Sequence, residues 1–463
     1  MEGGFRAAGP ADGPNIALVT LGCDKNTVDS ERMMASLVGH GARVSAEVEG
    51  AEVIIVNTCG FIEAAKEQSV ETILEACDRK AEGVVKVVVA VGCMVQRYKD
   101  ELQREIPEVD LFMGLTELDG LIPELQEREL LPPPERIPVM ERPLRVLSTE
   151  ASHSSFLKIS EGCDHTCAFC AIPLMRGLHR SQPLEALVEE ARALGGAGVR
   201  ELNIISQDTT WWGRDLRRRD RDAPLLPELL EALLQRTTVD WYRLFYMYPS
   251  GISPRLVELM AKSPRADSGP RIVPYLDLPL QHGSDRMLEA MRRPERGATI
   301  RERIGWLREA IPGLTLRTTV IVGFPGETEE DFEELVELLE EIRFDRVGAF
   351  TYSIEEGTRA AELDGHLSES LKRERLETLM DVQRGVSLDR NLEQVGKRVP
   401  LLVESTLEDD PDAVALGRTE GQAADVDGVT YLEELGNAAP GDIVEVEIVD
   451  AMEHDLVARV VAT

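Results

Sequence analysis

The chain has 463 residues, of which 43% are hydrophobic and 29% are charged, and its formal net charge at pH 7 is -33. This length provides for roughly two to four domains, each able to bury its own core. Phosphate backbones are bound by Lys and Arg, so the acidic charge favours a basic partner over direct binding of nucleic acid, although an acidic surface also serves solubility alone.

No apolar stretch approaches the roughly 20 residues that span a bilayer. The first 14 residues lack the apolar core of a signal peptide, so we expect a disordered tail over 1–14 and a cytoplasmic protein. The chain has seven cysteines, an odd number. In a reducing compartment, cysteines more often bind metal or do chemistry than form disulfides.

The N-terminal region, 15–131, alternates strand and helix patterns. Apolar runs predict strands at Asn15–Leu21, Val53–Val56 and Val84–Val91. The first is followed by a helix that Asp29 or Ser30 can cap, and the second by a helix near 64–80. Such repeats normally form a parallel α/β sheet with right-handed crossovers.

Three cysteines, which we call the dispersed triplet, each follow one of these strands: Cys23, Cys59 and Cys93. The carboxyl ends of parallel strands lie at one sheet edge, where open α/β sheets bind ligands. Cys23 and Cys93 come directly after glycine, which permits close backbone approach. Buried core cysteines are the alternative, but three equivalent positions favour metal ligands. Cys77 lies inside a helix pattern and is predicted to pack.

A proline-rich stretch, 132–150, is predicted to be a linker. Strand and helix patterns alternate again over 151–392 and predict a full or partial TIM-like (β/α) barrel, whose functional loops follow the strands. The six strand patterns lie at 156–160, 201–206, 242–248, 272–280, 314–324 and 347–352.

A second group of cysteines, the compact triplet, lies just beyond the first of those strands: Cys163, Cys167 and Cys170. Three closely spaced thiolates can hold a four-iron cluster and leave one iron open to a ligand. Zinc is the alternative, but a structural zinc site needs four protein ligands. His165 is the available fourth ligand, and its position between two cysteines would strain the loop.

The last region, 393–463, contains five short strand patterns from Val399 onward and predicts a small antiparallel β-barrel of the oligonucleotide-binding type. Its 17 acidic and 4 basic residues give a net charge of -13. Such a module would repel a phosphate backbone and suits docking on a basic protein. The alternative is an acidic cap that only aids solubility.

The C-x3-C-x-aromatic-C run resembles the radical S-adenosylmethionine superfamily. With the dispersed triplet and the last region, nearly the whole chain resembles the methylthiotransferases of that superfamily. Motifs similar to the protein-modifying, RimO-type subfamily are Thr20–Glu31, Ala171–Gly177, Ser206–Thr210, Asp277–Arg286 and Tyr352–Thr358. The pair Trp211-Trp212 departs from the single aromatic residue expected there.

This resemblance implies a methylthiotransferase domain at 15–131, a radical S-adenosylmethionine barrel at 151–392 and a TRAM domain at 393–463. It implies methylthiolation of an aspartate β-carbon in S-twelve, a small-subunit ribosomal protein. A side-chain base cannot usefully deprotonate that carbon, so a radical is needed. The alternatives are a MiaB-like tRNA adenosine methylthiotransferase and a non-enzymatic iron-sulfur scaffold.

The resemblance also implies two 4Fe-4S clusters and two roles for S-adenosylmethionine, as radical source and as methyl donor. The cluster on the compact triplet would bind S-adenosylmethionine and generate the radical. The cluster on the dispersed triplet would hold the sulfur, and both would face one cavity. A low-potential electron donor such as flavodoxin or ferredoxin, and a sulfur source, are the further partners.

Three residues beyond the cysteines are candidate cofactor contacts. Phe169 is expected near the adenine, while Gln207 and Gly323 lie where barrel loops usually contact the cofactor. For the segment around Gly323 the alternative is a buried strand followed by a turn that Thr328 caps.

Overall fold

The computed structural model describes residues 8–133, 144–147, 153–263, 269–407 and 413–461. The chain packs as two compact units. The first comprises Met1–Ser152, Glu161–Asp164 and Ala171–His179, and the second comprises the remaining segments. Most of the predicted linker and half of the predicted tail lie outside the described residues.

The first unit contains a five-stranded parallel sheet with the strand order β2-β1-β3-β4-β5. Every residue of β3 and β4 is buried, as expected for valine-rich parallel strands that are covered on both faces. The predicted parallel α/β domain is confirmed. Its elements are β1 Asn15–Thr20, α1 Asp24–Gly39, β2 Arg43–Ser45, β3 Val53–Thr58, α2 Glu63–Ala81, β4 Val87–Gly92, α3 Cys93–Glu105, β5 Leu111–Met113 and α4 Leu121–Glu127.

Helix α1 begins five residues before the first predicted cap. The backbone N–H groups of Asn26 and Thr27 donate to the carbonyl of Cys23, at 2.8 and 3.1 Å, so the first turn starts at the cysteine. Ser30 is fully buried and its hydroxyl accepts a hydrogen bond from Thr20. The cap prediction is therefore wrong, because Ser30 lies on the buried face within the helix.

The second unit begins with six parallel strands in the order β13-β12-β11-β10-β9-β6. They form a curled half-barrel, so the TIM-like expectation is confirmed in its partial form. The elements between residues 154 and 392 are β6 Ser154–Lys158, β7 Ser160–Glu161, α5 Ile172–Arg176, β8 Arg180–Ser181, α6 Leu184–Gly196, β9 Glu201–Ile205, α7 Arg214–Arg217, α8 Leu226–Arg236, β10 Trp241–Leu244, α9 Pro254–Lys262, β11 Arg271–Asp277, α10 Asp285–Ala290, α11 Gly297–Ala310, β12 Thr315–Val322, α12 Glu329–Ile342, β13 Arg346–Thr351 and α13 Glu369–Leu392. Helix α5 lies in this part of the sequence but packs with the first unit, as does Glu161 of β7.

The C-terminal strands close into a separate barrel in the order β14-β15-β16-β18-β17, which confirms the five predicted strands. The barrel is antiparallel as predicted, except that β16 and β18 pair in parallel. Its core is small and aliphatic and includes Leu401, Val403 and Ile448. The strands are β14 Arg398–Thr406, β15 Ala415–Thr419, β16 Thr430–Leu432, β17 Ile443–Ala451 and β18 Leu456–Val460.

Buried ion pairs join the two barrels of the second unit. The carboxylate of Glu201 on β9 accepts hydrogen bonds from Arg243 Nε at 2.8 Å and from Arg418 Nη2 at 2.6 Å. All three side chains are at most 1% exposed. Burial alone would raise the pKa of Glu201, but the two guanidinium groups outweigh it and lower the pKa to about 2.

In the described part of the chain, no helix is both long and apolar enough to span a membrane.

Candidate functional site

The dispersed triplet comes together at the carboxyl edge of the first sheet, as its spacing predicts. Cys23 and Cys59 follow β1 and β3, and Cys93 begins α3 directly after β4. A Cβ atom added to Gly22 would lie 2.7 Å from Cys59 Cβ and 2.8 Å from its Sγ, so the first two loops are in contact. Cys23 and Cys59 also influence the pKa of Cys93 electrostatically.

The three thiols differ in their access to solvent. Cys23 is exposed, whereas Cys59 and Cys93 are only 6% and 5% exposed. Burial raises the pKa of Cys93 to about 12, and the charge of Arg176 opposes this shift. Burial likewise raises the pKa of Cys59. Two of the three thiols are therefore shielded from solvent, and the charge of Arg176 acts on both of them.

Glycines make this close approach of the loops possible. Gly22 and Gly92 have φ angles of +92° and +103°, which L side chains rarely adopt. A Cβ atom on Gly92 would lie 2.4 Å from Asn57 Oδ1, and one on Gly60 would lie 2.9 Å from Met94 Cα. Glycine beside each of the three cysteines thus lets the loops that carry them pack directly against one another.

Asn26, on the first turn of α1, bonds to all three cysteine loops. Its Nδ2 donates to the carbonyl oxygens of Leu21, at 2.7 Å, and of Thr58, at 3.1 Å. Its Oδ1 accepts from Cys93 Sγ at 3.6 Å. The side chain is fully buried. Sequence reasoning missed this residue, although it belongs to one of the motifs that carry the family resemblance.

The cysteines of the compact triplet are half-buried. In the first unit, the backbone N–H of Cys163 donates to the carbonyl of Gly177 at 3.1 Å; in the second, that of Cys170 donates to the carbonyl of Cys167 at 3.2 Å. All seven cysteines of the chain lie in the described residues, and none is in a disulfide.

Within the described residues, no three Cys, His, Asp or Glu side chains are arranged to hold a single metal ion. A four-iron cluster is held through separate iron atoms, so its thiols need not converge on one point.

In the second unit, charged and aromatic side chains lie around Cys167. Arg293 Nη1 donates to its Sγ at 4.0 Å, and the guanidinium carbon lies 3.8 Å from the centre of the Tyr248 ring. Tyr248 stacks on His165 with ring centres 4.0 Å apart, and Nε2 of His165 lies 2.6 Å from Asp208 Oδ2. His165 is thus held against the barrel. No sequence pattern marks Arg293 or Tyr248 as neighbours of Cys167.

The three candidate cofactor contacts lie in separate loops of the second unit. Phe169 packs half-buried against a cluster that includes Phe324, directly after Gly323. Gly323 has a φ of +74°, and its N–H donates to Glu327 Oε2 at 2.9 Å. Gln207 is half-buried after β9. Their contact with a cofactor stays a prediction.

The alternative expected for the segment around Gly323, a strand followed by a turn that Thr328 caps, is observed. Thr328 caps α12, its Oγ1 accepting from the Asp331 N–H at 3.3 Å. A capped turn and a cofactor contact are compatible, since the cap lies beyond Gly326.

Family models match three regions of the chain. They are the uncharacterized protein family UPF0004 at 15–114, the radical SAM superfamily at 157–339 and the TRAM domain at 395–461.

Curated relatives match almost the whole length. A protein of Anaeromyxobacter sp. (strain K) named ribosomal protein uS12 methylthiotransferase RimO is 47% identical over 451 residues, which are 96% of this chain and 93% of the relative. A protein of the same name from Myxococcus xanthus is 43% identical over 96% of this chain and 92% of its own length.

Solved structures show the fold alone. The radical S-adenosylmethionine methyltransferase TsrM from Kitasatospora setae, with cobalamin and a 4Fe-4S cluster bound, is 13% identical, with a TM-score of 0.50 over 86% of this chain and 82% of its own.

Proposed function

The chain belongs to the RimO family of ribosomal protein uS12 methylthiotransferases, and we propose that it attaches a methylthio group to the β-carbon of an aspartate in uS12. The observation that carries this proposal is the convergence of Cys23, Cys59 and Cys93 at one sheet edge. A second group of thiols, in addition to the compact triplet, fits an enzyme that combines sulfur chemistry with radical formation.

The radical SAM domain implies an iron-sulfur cluster and S-adenosylmethionine, and we assign that cluster to the compact triplet. We assign a second 4Fe-4S cluster to the dispersed triplet. When bound, these groups would supply the radical that activates the substrate carbon and the methylated sulfur that reacts with it. Reductive cleavage of S-adenosylmethionine would then need a low-potential electron donor, such as flavodoxin or ferredoxin, and each methylthio group that is transferred would need a sulfur source.

The residues around each triplet fit these groups. Glycines beside the dispersed triplet let the three cysteine loops approach so closely that an added Cβ atom would clash with the neighbouring loop. Arg293 places a positive charge next to Cys167, where it would offset the negative charge of ligating thiolates. The stack of His165 on Tyr248 holds the loop of the compact triplet in place. Phe169, Gln207 and Gly323 are proposed to line the site of S-adenosylmethionine.

The C-terminal barrel supports a protein substrate. Its region, 393–463, has a net charge of -13, from 17 acidic and 4 basic residues. Ribosomal proteins that bind RNA are basic, so charge complementarity favours uS12 and disfavours tRNA. A MiaB-like activity on tRNA is therefore not favoured.

Cleavage of S-adenosylmethionine separates the two cluster assignments. Reconstituted Cys163→Ala should lose reductive cleavage entirely, because it lacks a ligand of the compact triplet. Cys59→Ala should keep cleaving S-adenosylmethionine but form no methylthiolated product. If the wild-type protein bound iron on both triplets and never cleaved S-adenosylmethionine under reduction, the proposal would fail and an iron-sulfur scaffold would be favoured.

A further inference from the structure

We propose that Asn26 and Arg176 are positioning residues of the dispersed triplet: Asn26 holds the three cysteine loops together, and Arg176 orients Asn26 and keeps a positive charge beside the thiols. This inference rests on the proposed function only in placing a cluster on the dispersed triplet. All of the contacts that carry it lie within the first unit.

The hydrogen bonds of Asn26 leave its amide one orientation. Both bonds of Nδ2 go to backbone carbonyls, those of Leu21 and Thr58, so Oδ1 must face Cys93 and Arg176. A Cys93 thiolate that ligates iron has no proton to donate to Oδ1. The donor that then remains is Arg176 Nη2, at 2.6 Å.

Arg176 is held in place by more than Asn26. Its side chain is 1% exposed, and its Nη1 donates to Asp29 Oδ2 at 3.1 Å and to Glu161 Oε1 at 2.8 Å. A buried guanidinium needs such carboxylate partners, because an unpaired buried charge is costly. Its position beside the thiols is therefore fixed.

The segment that carries Arg176 follows the compact triplet directly in sequence. Helix α5 ends at Arg176, six residues beyond Cys170, and its Met175 packs with Ala171 against Cys93. The segment that follows Cys170 in sequence thus contacts Cys93 through one short helix.

The charge of Arg176 predicts an effect on redox chemistry. Reduction adds negative charge to a cluster, and a nearby buried cation stabilises the reduced form. Replacing Arg176 by a neutral residue should therefore shift the reduction potential of this cluster to a more negative value. Replacing Asp29 by Asn removes a nearby negative charge and should shift it in the opposite direction.

The test uses the full-length chain with Cys163, Cys167 and Cys170 replaced by Ala, so that bound iron belongs to the dispersed triplet. In this parent, iron content and the reduction potential are measured for Arg176→Gln, Asp29→Asn and Asn26→Ala. We expect opposite shifts of potential for the first two variants. Asn26→Ala should lose iron to a chelator several-fold faster than the parent.

Arg145→Gln is the matched control. Arg145 is also a buried arginine of the first unit, paired with Glu31, and its replacement should leave the potential unchanged. Equal potentials in Arg176→Gln and the parent, or the same shift in Arg145→Gln, would overturn the role of Arg176. If Arg176→Gln does not fold, an unshifted or more negative potential in Asp29→Asn overturns it.

Unchanged iron release in Asn26→Ala would overturn the role of Asn26. A parent that binds no iron, or that keeps its iron after Cys59→Ala, would instead contradict the assignment of a cluster to the dispersed triplet.

Discussion

At the scale of single residues, the site depends on glycines as well as on cysteines, because a side chain beside a cysteine would block the close approach of the loops. Gly22 combines a φ of +92° with a position where a Cβ would lie 2.8 Å from Cys59 Sγ. Both the conformation and the contact exclude a larger residue. The glycine before Cys23 is thus a requirement of the loop geometry.

Gly22→Ala should therefore lose the iron of the dispersed triplet, about half of the total, while S-adenosylmethionine is still cleaved. Gly83→Ala is the control, because Gly83 also has a positive φ, +77°, but a Cβ there meets nothing within 4 Å. Iron analysis and visible absorption of the reconstituted proteins measure the difference. Full iron content in Gly22→Ala would show that the loops do not need this close approach.

The cysteines could be predicted from sequence, whereas their positioning residues could not. Cys23, Cys59 and Cys93 repeat at the same point of successive strand-helix units, and that pattern is visible in the sequence. The bond between Asn26 and Arg176 joins positions 150 residues apart. No local pattern marks such a pair, since it exists only once the chain has folded.

At the scale of secondary structure, long apolar runs predicted most strands, and short ones were missed. β2 and β5 have three residues each, too few to show a period. The start of α1 was misplaced because Ser30 has the chemistry of a cap but lies on the buried face of the helix. The type of a residue makes it a candidate cap, but its position relative to the buried face decides whether it caps the helix.

Strands β9, β10 and β15 are joined by Glu201, Arg243 and Arg418, so Glu201→Gln should destabilise the second unit. Removing one member of a buried ion network typically costs about 3–5 kcal/mol, because the charges of its partners stay buried. The thermal midpoint should fall clearly. Glu185→Gln is the control, since Glu185 pairs with Arg236 at the surface, and its replacement should leave the midpoint unchanged. Equal midpoints for the two variants would contradict the buried network.

The low pKa of Glu201 predicts that the stability of the second unit depends on pH. The pKa of Glu201 falls from its ordinary value of 4.5 to about 2 on folding, so its contribution is complete above pH 4.5 and is lost as the pH falls through about 2. The difference in thermal midpoint between wild type and Glu201→Gln should shrink across this window. A difference that stays constant down to pH 2 would mean that the carboxylate is not the stabilising species.

At the scale of the whole molecule, the three family matches follow one another along the chain, but packing does not follow the same divisions. Residues 161–164 and 171–179 pack with the first unit, although the sequence places them in the barrel region. Sequence patterns report local structure and composition, and they carry no information on which neighbouring unit a loop joins. Length, charge and motif order nevertheless predicted the three kinds of module and the acidic surface of the last.

The proposed function is tested most sharply by tandem mass spectrometry of uS12 and tRNA, incubated together with the enzyme, a reductant and S-adenosylmethionine. The proposed function predicts one methylthio group on an aspartate of uS12, none on tRNA, and none on either with Cys59→Ala, although that variant still cleaves S-adenosylmethionine. A methylthio group on tRNA, or a modified uS12 in the Cys59→Ala reaction, would contradict it.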